Sequence, residues 1–324
     1  MILAKAPTSE SSWLLADWLE FHVLCSEFKS YRITELLRIS DEDQESENMN
    51  ISEQDSLNEQ CMEKAVEELE VRTEYLGEAY PFYFNDVGNE LVIKDEISPG
   101  AYVYLYCLIM SHANRTDVLV SQPPISNADR DLMQICATLA VAGDLNGSAI
   151  SFGFPRPDHS NFLEALKKAY GLMGEGEVVG EIPAGAPANE KDARIDVIAW
   201  GNSPDDGPGK KYILGQVATG ANWQEKPIKG EIEPFHNIWF SKSPASTAQA
   251  SMFIPFCLDV ESNATLHDVL HMKTYRFGII YYRYRLPFYA NIGYALAGDE
   301  GNNNYIERFD EFDKVETYVN TFCQ

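Results

Sequence analysis

Two short apolar runs joined by a turn-rich loop constrain the fold most. The runs read IDVIAW at 195–200 and YILGQVA at 212–218, and the loop GNSPDDGPGK lies between them. β-Branched and other apolar residues bounded by Asp, Gly and Pro are typical of strands joined by a turn. Upstream, FLEALKKAYGLM at 162–173 has the apolar spacing of a helix. The sequence therefore predicts a helix followed by two adjacent strands.

One polar side chain stands out in each of these elements. Side chains alternate along a strand, so Gln216 and Ala218 share a face. Asp196, near the start of the first strand, would lie close to Gln216, and Glu164 would approach the same point if its helix packs on the sheet. Such hard oxygen donors suit Mg²⁺ or Mn²⁺. A metal held there can activate water and stabilise the charge that develops on a phosphodiester.

A purely structural interpretation of the same residues stays open. Asp196 could cap a turn or pair with Arg194 or Lys191, and Gln216 could satisfy a backbone group. Asp192 is a candidate to support the site, and its alternative is a solvated turn residue. The ordered combination of a helix Glu, a strand Asp and a strand Gln favours the metal site.

The rest of the chain is organised around a boundary near residue 124. Helical periodicity marks residues 1–40, and an acidic, polar stretch follows around 40–60. Composition shifts at Pro123-Pro124, after which DLMQICATLAVAGDL reads as a buried helix with small residues for close packing. We predict an α/β protein with a helical or mixed N-terminal domain at 1–124, an acidic linker around 40–60 and a second domain at 125–324.

Composition narrows the class of protein. The chain has 324 residues, 45% of them hydrophobic, which is enough for one large domain or two modest ones. No apolar run reaches the roughly 20 residues of a membrane helix, and the N-terminus lacks a signal-peptide pattern. We therefore predict a cytoplasmic protein without a membrane partner. The six cysteines are scattered and form no CxxC pair, which argues against a zinc ribbon or a disulfide framework.

The net charge of −25 argues against an autonomous nucleic-acid binder, because phosphate contacts supply most non-specific affinity. Binding to DNA would need a local basic patch, a metal ion or a partner protein. The best basic candidates are Arg283 and Arg285, which alternation places on one face of a predicted strand in RFGIIYYRYR. Lys167 and Lys168 lie near the proposed site. With Arg156 they could add to a strip formed by Lys273, Arg276, Arg283 and Arg285. The alternative for that strip is pairing with surface carboxylates.

Two other motifs give weaker indications of a functional site. His267 and His271 are four residues apart in HDVLH, a spacing that can bind zinc on a helix. However, the Asp between them is too short for the Glu of a metalloprotease, and no third ligand follows. The run GEGEVVG at 174–180 has the wrong spacing for a phosphate-binding loop, and its two glutamates would repel phosphate.

Three segments carry a resemblance to a known family. FPRPDHSNFLEAL, KDARIDVIAW and LGQVATGANWQEK resemble the PD-(D/E)XK phosphodiesterase superfamily, the restriction-endonuclease-like nucleases. They are also similar to uncharacterised nuclease-like proteins of bacterial anti-phage defence systems. The superfamily uses a helix glutamate, a strand aspartate, an acidic or glutamine residue and a lysine two positions later. Glu164, Asp196 and Gln216 match the first three, whereas Ala218 stands at the lysine position.

The resemblance implies a restriction-endonuclease-like domain with a mixed central sheet flanked by helices. It further implies a nuclease that hydrolyses DNA phosphodiesters with Mg²⁺ or Mn²⁺ held by Asp196, Gln216 and Glu164. Lys226, or else Lys229, would replace the missing lysine. The chain would then be an effector of a prokaryotic defence system, gated by an ATPase or sensor partner, and a homo-oligomer is compatible with it. The alternative is a non-catalytic interaction or scaffold subunit of a defence complex, which the charge and Ala218 favour.

Overall fold

The structure is a computed structural model that describes residues 2–4, 7, 11–34, 51–85, 89–113, 115–260 and 263–323. The helices of these residues are α1 (Ser12–Cys25), α2 (Ile51–Leu76), α3 (Pro99–Ser111), α4 (Asn127–Leu145), α5 (Phe162–Met173), α6 (Ile232–Trp239), α7 (Leu266–Phe277), α8 (Leu286–Gly298) and α9 (Asp313–Phe322). The strands are β1 (Ile2–Leu3), β2 (Ser30–Arg32), β3 (Phe82–Asn85), β4 (Glu90–Ile93), β5 (Leu119–Ser121), β6 (Gly147–Ser151), β7 (Glu177–Val178), β8 (Val197–Gly201), β9 (Tyr212–Val217), β10 (Phe240–Lys242), β11 (Gln249–Phe253) and β12 (Ile279–Tyr281). The predicted α/β class is confirmed.

A mixed sheet of five strands, ordered β12–β11–β9–β8–β6, forms the centre of the fold. β8 is antiparallel to both β6 and β9, whereas β11 is parallel to β9 and β12. The predicted strand pair is confirmed as β8 and β9, with Val197 opposite Gly215 and Trp200 opposite Tyr212. Because these strands run in opposite directions, the start of β8 and the end of β9 meet at one edge of the sheet.

Helices cover both faces of this sheet. On one face α4 lies across β6, β8 and β9 and packs closely against α8. Two glycines permit that approach: a Cβ on Gly143 would lie 2.1 Å from the Tyr289 carbonyl oxygen, and one on Gly293 would lie 1.9 Å from the Leu139 oxygen. The predicted buried helix with small residues is thereby confirmed as α4. On the other face, α5 and α6 bury aromatic side chains against β8 and β9.

One buried core contains residues from both sides of position 124, where the sequence predicted a domain boundary. One continuous apolar cluster includes Trp18 of α1 and Leu108 of α3 together with Leu139 of α4 and Val319 of α9. α3 packs against α8 and α9, which lie on the far side of that boundary in sequence. A small antiparallel sheet, β2–β4–β3, also belongs to the N-terminal part. The helical and mixed character predicted for this part is therefore observed.

Buried charges join the N-terminal helices to the C-terminal half of the chain. Asp17 and Glu20 of α1, Arg72 of α2 and Arg283 are all fully buried. The Arg72 guanidinium lies 2.7 Å from Asp17 Oδ1 and 2.9 Å from Glu20 Oε1. Arg283 Nη2 donates to both Asp17 oxygens, at 2.7 and 2.9 Å. His112 Nε2 lies 2.7 Å from Asp17 Oδ2. Since each charge has a partner, this cluster holds α1, α2 and α3 to the segment that follows β12.

Two sequence predictions need correction. The strand predicted through RFGIIYYRYR ends at Tyr281, and a turn leads into α8, whose first turn holds Pro287. Part of the linker predicted around 40–60 is helical, because α2 begins at Ile51; residues 40–50 lie outside the described residues. None of the described helices combines the length and the apolarity that crossing a membrane requires.

Candidate functional site

Asp196 is fixed at the edge where β8 starts and β9 ends. Its amide donates to the Gly215 carbonyl oxygen at 2.8 Å, and its own carbonyl oxygen accepts from the amides of Phe152 and Gly153 at 2.7 and 2.9 Å. The residues before it turn sharply, since Ala193 and Arg194 both have a positive φ. With its backbone bonded on both sides, Asp196 has little freedom to move.

The Asp196 carboxylate lies among polar groups from three elements. Oδ2 accepts a 2.8 Å hydrogen bond from the Val217 amide at the end of β9, and the side chain of Gln134 on α4 donates to the same carboxylate. Burial raises the pKa of Asp196 to about 6, and the negative charge of Asp192 adds to that rise. The two hydrogen bonds and the cation of Lys226 act in the opposite direction.

Two amide oxygens at this edge are buried without a hydrogen-bond partner among the described residues. They are Oε1 of Gln134 and Oε1 of Gln216, the residue before Val217. A buried carbonyl without a partner costs about 1–3 kcal/mol, so each is an acceptor available for a cation or a water. Gly153 keeps the space open, because a Cβ there would lie 2.4 Å from Gln134 Nε2 and 2.7 Å from Asp196 Oδ1.

Glu164 does not belong to this arrangement, which corrects the sequence assignment. It is exposed, and its carboxylate accepts from the Asn161 amide at 3.3 Å while its own amide donates to the Asn161 side chain at 3.0 Å. This reciprocal capping box stabilises the first turn of α5. The helix side chain that meets Asp196 is Gln134, which sequence reasoning missed. Its only signal was one amide within the apolar run LMQICATL.

The lysine position of the family motif lies in the core. Ala218 is 2% exposed, and its amide donates to the Phe253 carbonyl oxygen at 2.9 Å. Lys226 is exposed at the end of the 3₁₀ segment Ala221–Glu225. Its ammonium forms no ion pair with any part of the chain that the structure describes, and it is near enough to lower the pKa of Asp196. Lys229 is also exposed.

The basic residues predicted to contact DNA do not form a common strip. Arg283 is 0% exposed and bonded to Asp17, so the prediction that it faces DNA is wrong. Arg285 lies half-buried with its guanidinium over the Tyr282 ring, 5.7 Å from the centroid. Lys167 donates to the Gly180 carbonyl oxygen at 2.7 Å. Lys168 lies 2.7 Å from a Glu307 oxygen, which is a pairing with a carboxylate.

The donor atoms at this edge are carboxylate and amide oxygens, which hard divalent cations prefer as ligands. Asp196 and Asp192 are carboxylates that interact electrostatically at this edge. Gln134 and Gln216 offer amide oxygens that no described residue hydrogen-bonds. Nowhere in the described residues do three or more His, Cys, Asp or Glu side chains group so as to hold a metal. A cation here would therefore depend on amide oxygens as well as on carboxylates.

Comparison with known proteins adds no relative: no family model, no curated protein and no solved structure matches this chain. The class that the fold defines is an α/β protein with a mixed five-stranded sheet.

Proposed function

We propose that this chain is a metal-dependent nuclease that hydrolyses DNA phosphodiester bonds. The observation that carries the proposal is the buried Asp196 carboxylate, which is hydrogen-bonded to Gln134 and to the Val217 amide at the edge where Gln216 ends β9. The amide oxygens of both glutamines have no hydrogen-bond partner among the described residues. These are hard acceptors at one edge of a sheet, where β8 and β9 present them. The family resemblance of the same strands adds support, since its aspartate and glutamine positions are Asp196 and Gln216.

Each residue has a separate role in this proposal. Asp196 and Gln216 would hold Mg²⁺ or Mn²⁺, with Gln134 in the position that the sequence assigned to Glu164. When bound, such a cation supplies an activated water and stabilises charge on the phosphoryl oxygens. Lys226, which is exposed and has no ion-pair partner in the described part of the chain, would orient the attacking water or take its proton. The Val217 amide holds the Asp196 carboxylate in one orientation.

Regulation by a partner forms part of the proposal. A net charge of −25 opposes binding to polyanionic DNA. An ATPase or sensor subunit that delivers DNA would overcome that barrier. The role as an effector in prokaryotic anti-phage defence rests on the sequence resemblance alone.

A non-catalytic subunit is the second candidate function. Ala218 is buried among apolar residues where the family motif has its lysine, and this favours a chain that has kept the fold and lost catalysis. In that case the surface would bind a protein partner rather than cleave DNA.

Cleavage of supercoiled plasmid tests the proposal. Wild type and Asp196→Asn are compared with Mg²⁺ and with Mn²⁺, because the asparagine keeps the shape of the side chain and the acceptor for the Val217 amide. We expect nicking or linear product from the wild type alone. Equal cleavage by both would mean that Asp196 is not catalytic. If neither wild type nor Asp196→Asn cleaves the plasmid, and neither metal stabilises the wild type against unfolding, the result would favour the non-catalytic subunit.

A further inference from the structure

Arg156 is a buried cation that no carboxylate of the described residues contacts. The residue is 5% exposed, and its guanidinium lies over the Phe152 ring, 4.6 Å from the centroid. Nη1 donates to the Ser160 carbonyl oxygen at 3.3 Å, and Nη2 donates to the Lys191 carbonyl oxygen. Nε is buried and has no acceptor among the residues that the structure describes.

Other buried arginines of this chain are treated differently. Arg72 and Arg283 are equally buried, and both are in ion-pair contact with Asp17. Asp192 and Asp158 act on Arg156 only from beyond ion-pair distance, and burial is the main reason that the pKa of Arg156 is lowered. A buried charge without a partner destabilises a protein. An anion from outside the chain would supply what is missing.

A cleft of about 650 Å³ provides the space for such an anion. Arg156 lines it together with Phe154, Phe162, Ile182 and Lys191. Phe154 and Ile182 remain 51% and 43% exposed, and the Lys191 ammonium lies 5.1 Å from the Phe154 ring centroid. The volume falls within the range of small-ligand sites. The cleft thus combines a flat apolar wall with two cationic side chains.

Two glutamates also line the cleft, and neither neutralises Arg156. Glu190 Oε1 accepts from the amides of Lys191 and Ala193 at 3.0 and 3.1 Å, so it is engaged within its own loop. Glu181 is exposed, where solvent screens its charge. Asp192, Asp158 and Glu307 act on Arg156 only from beyond ion-pair distance, so the guanidinium is in contact with none of the carboxylates of the described residues.

The cleft adjoins Asp196 through both of its walls. Phe154 follows Gly153, whose position against Asp196 Oδ1 admits no Cβ. Lys191 precedes Asp192, whose negative charge contributes to the raised pKa of Asp196. Residues that line the cleft are thus next in sequence to residues that act on Asp196.

We propose that this cleft binds one nucleotide of single-stranded DNA, with a phosphate at Arg156 and Lys191 and the base against Phe154. The inference rests on the proposed nuclease function and names its substrate class. An unpaired base enters such a cleft without the cost of breaking a base pair, which a base flipped out of a duplex must meet. Stacking on an aromatic ring also suits a chain of net charge −25, because it adds affinity that does not depend on long-range attraction.

Binding of a fluorescein-labelled dT12 oligonucleotide, measured by anisotropy in EDTA, tests the cleft without cleavage. We expect wild type to bind dT12 more tightly than a 12-base-pair duplex, and Phe154→Ala to weaken dT12 binding by about tenfold. Arg156→Gln should weaken it at least as much. Phe288→Ala removes a comparably exposed ring on α8, 42% exposed, and should change nothing. Phe154 is exposed enough that its variant tests the cleft even where Arg156→Gln does not fold.

The outcomes separate this inference from the proposed function. Preference for the duplex, or an unchanged affinity in Phe154→Ala, would overturn the nucleotide cleft whether or not the protein cleaves DNA. Wild type that binds dT12 through Phe154 and Arg156, but neither cleaves plasmid nor is stabilised by Mg²⁺ or Mn²⁺, would keep the cleft and remove the nuclease.

Discussion

Replacing Asp196 by asparagine should stabilise the metal-free protein. The carboxylate is buried beside the negative charge of Asp192, and its pKa is raised from 3.8 to about 6. Ionised at neutral pH without a cation, it destabilises the folded state. Asparagine removes the charge and keeps an acceptor for the Val217 amide. Its new NH₂ group can donate to Gln134 Oε1, which has no partner among the described residues, once that amide turns over.

The sign and size follow from linkage between protonation and folding. Below pH 3.8 the carboxyl is neutral in both states, and the substitution gains nothing. Between 3.8 and about 6 the folded state keeps the proton that the unfolded state releases, so the stability of wild type falls as pH rises. Above that range the full penalty of about 3 kcal/mol applies, and about half of it is already present near pH 5.

Urea unfolding of both proteins in EDTA, at a series of pH values, measures this difference. The advantage of Asp196→Asn should grow by about 1.4 kcal/mol between about pH 5 and about pH 7.5. Asp310→Asn removes an exposed carboxyl and should show no such trend relative to wild type. Asp196→Asn that is less stable than wild type, or whose advantage does not depend on pH, would refute the reasoning. Mg²⁺ added back should stabilise wild type only.

Three further substitutions separate structural from catalytic residues. Arg283→Met breaks the buried contacts with Asp17 and should lower the free energy of unfolding by about 3 kcal/mol, with dT12 affinity unchanged; wild-type stability in urea would contradict the buried pair. Glu164→Ala loses half of a capping box and should cost about 1 kcal/mol in urea titrations, while plasmid cleavage stays at the wild-type rate. Lys226→Ala should slow plasmid cleavage by about 100-fold or more and change stability by less than about 0.5 kcal/mol. Cleavage at the wild-type rate would remove Lys226 from the mechanism.

The strand pair could be predicted because its information is local. Two apolar runs and a loop with Asp, Gly and Pro specify β8 and β9 without reference to the rest of the chain. The placement of Asp196 beside the end of β9 follows from the same pattern. The capping box of Asn161 and Glu164 is equally local, and it shows why Glu164 was misassigned: the helix was predicted correctly, but its orientation against the sheet was not.

Contacts between segments that are far apart in the chain could not be predicted from the sequence. Arg283 pairs with a residue 266 positions away, and no spacing rule connects the two. An arginine among tyrosines is typical of an exposed strip that contacts phosphate, and Arg283 was interpreted in that way. Its burial against Asp17 shows a structural role instead. Gln134 was missed for a related reason, since only the packing of α4 across β8 brings it to Asp196.

The unsatisfied groups favour an active site over a scaffold. Where this chain buries charge for structure, as at Asp17, Arg72 and Arg283, each charge has a partner. At the edge that holds Asp196 the opposite is true, because Gln134 Oε1 and Gln216 Oε1 lack partners in the described residues, as does Arg156 Nε in the cleft lined by Phe154 and Lys191. A few such atoms lie elsewhere. His112 Nδ1 and Gln122 Oε1 belong to residues in contact with each other, but His112 lies against Asp17, a carboxylate whose pKa is lowered rather than raised. Buried polar atoms left open together, next to a carboxylate with a raised pKa, destabilise a fold that gains nothing from them. A cation and a nucleotide would satisfy all of them at once, which is the arrangement that selection for catalysis would keep.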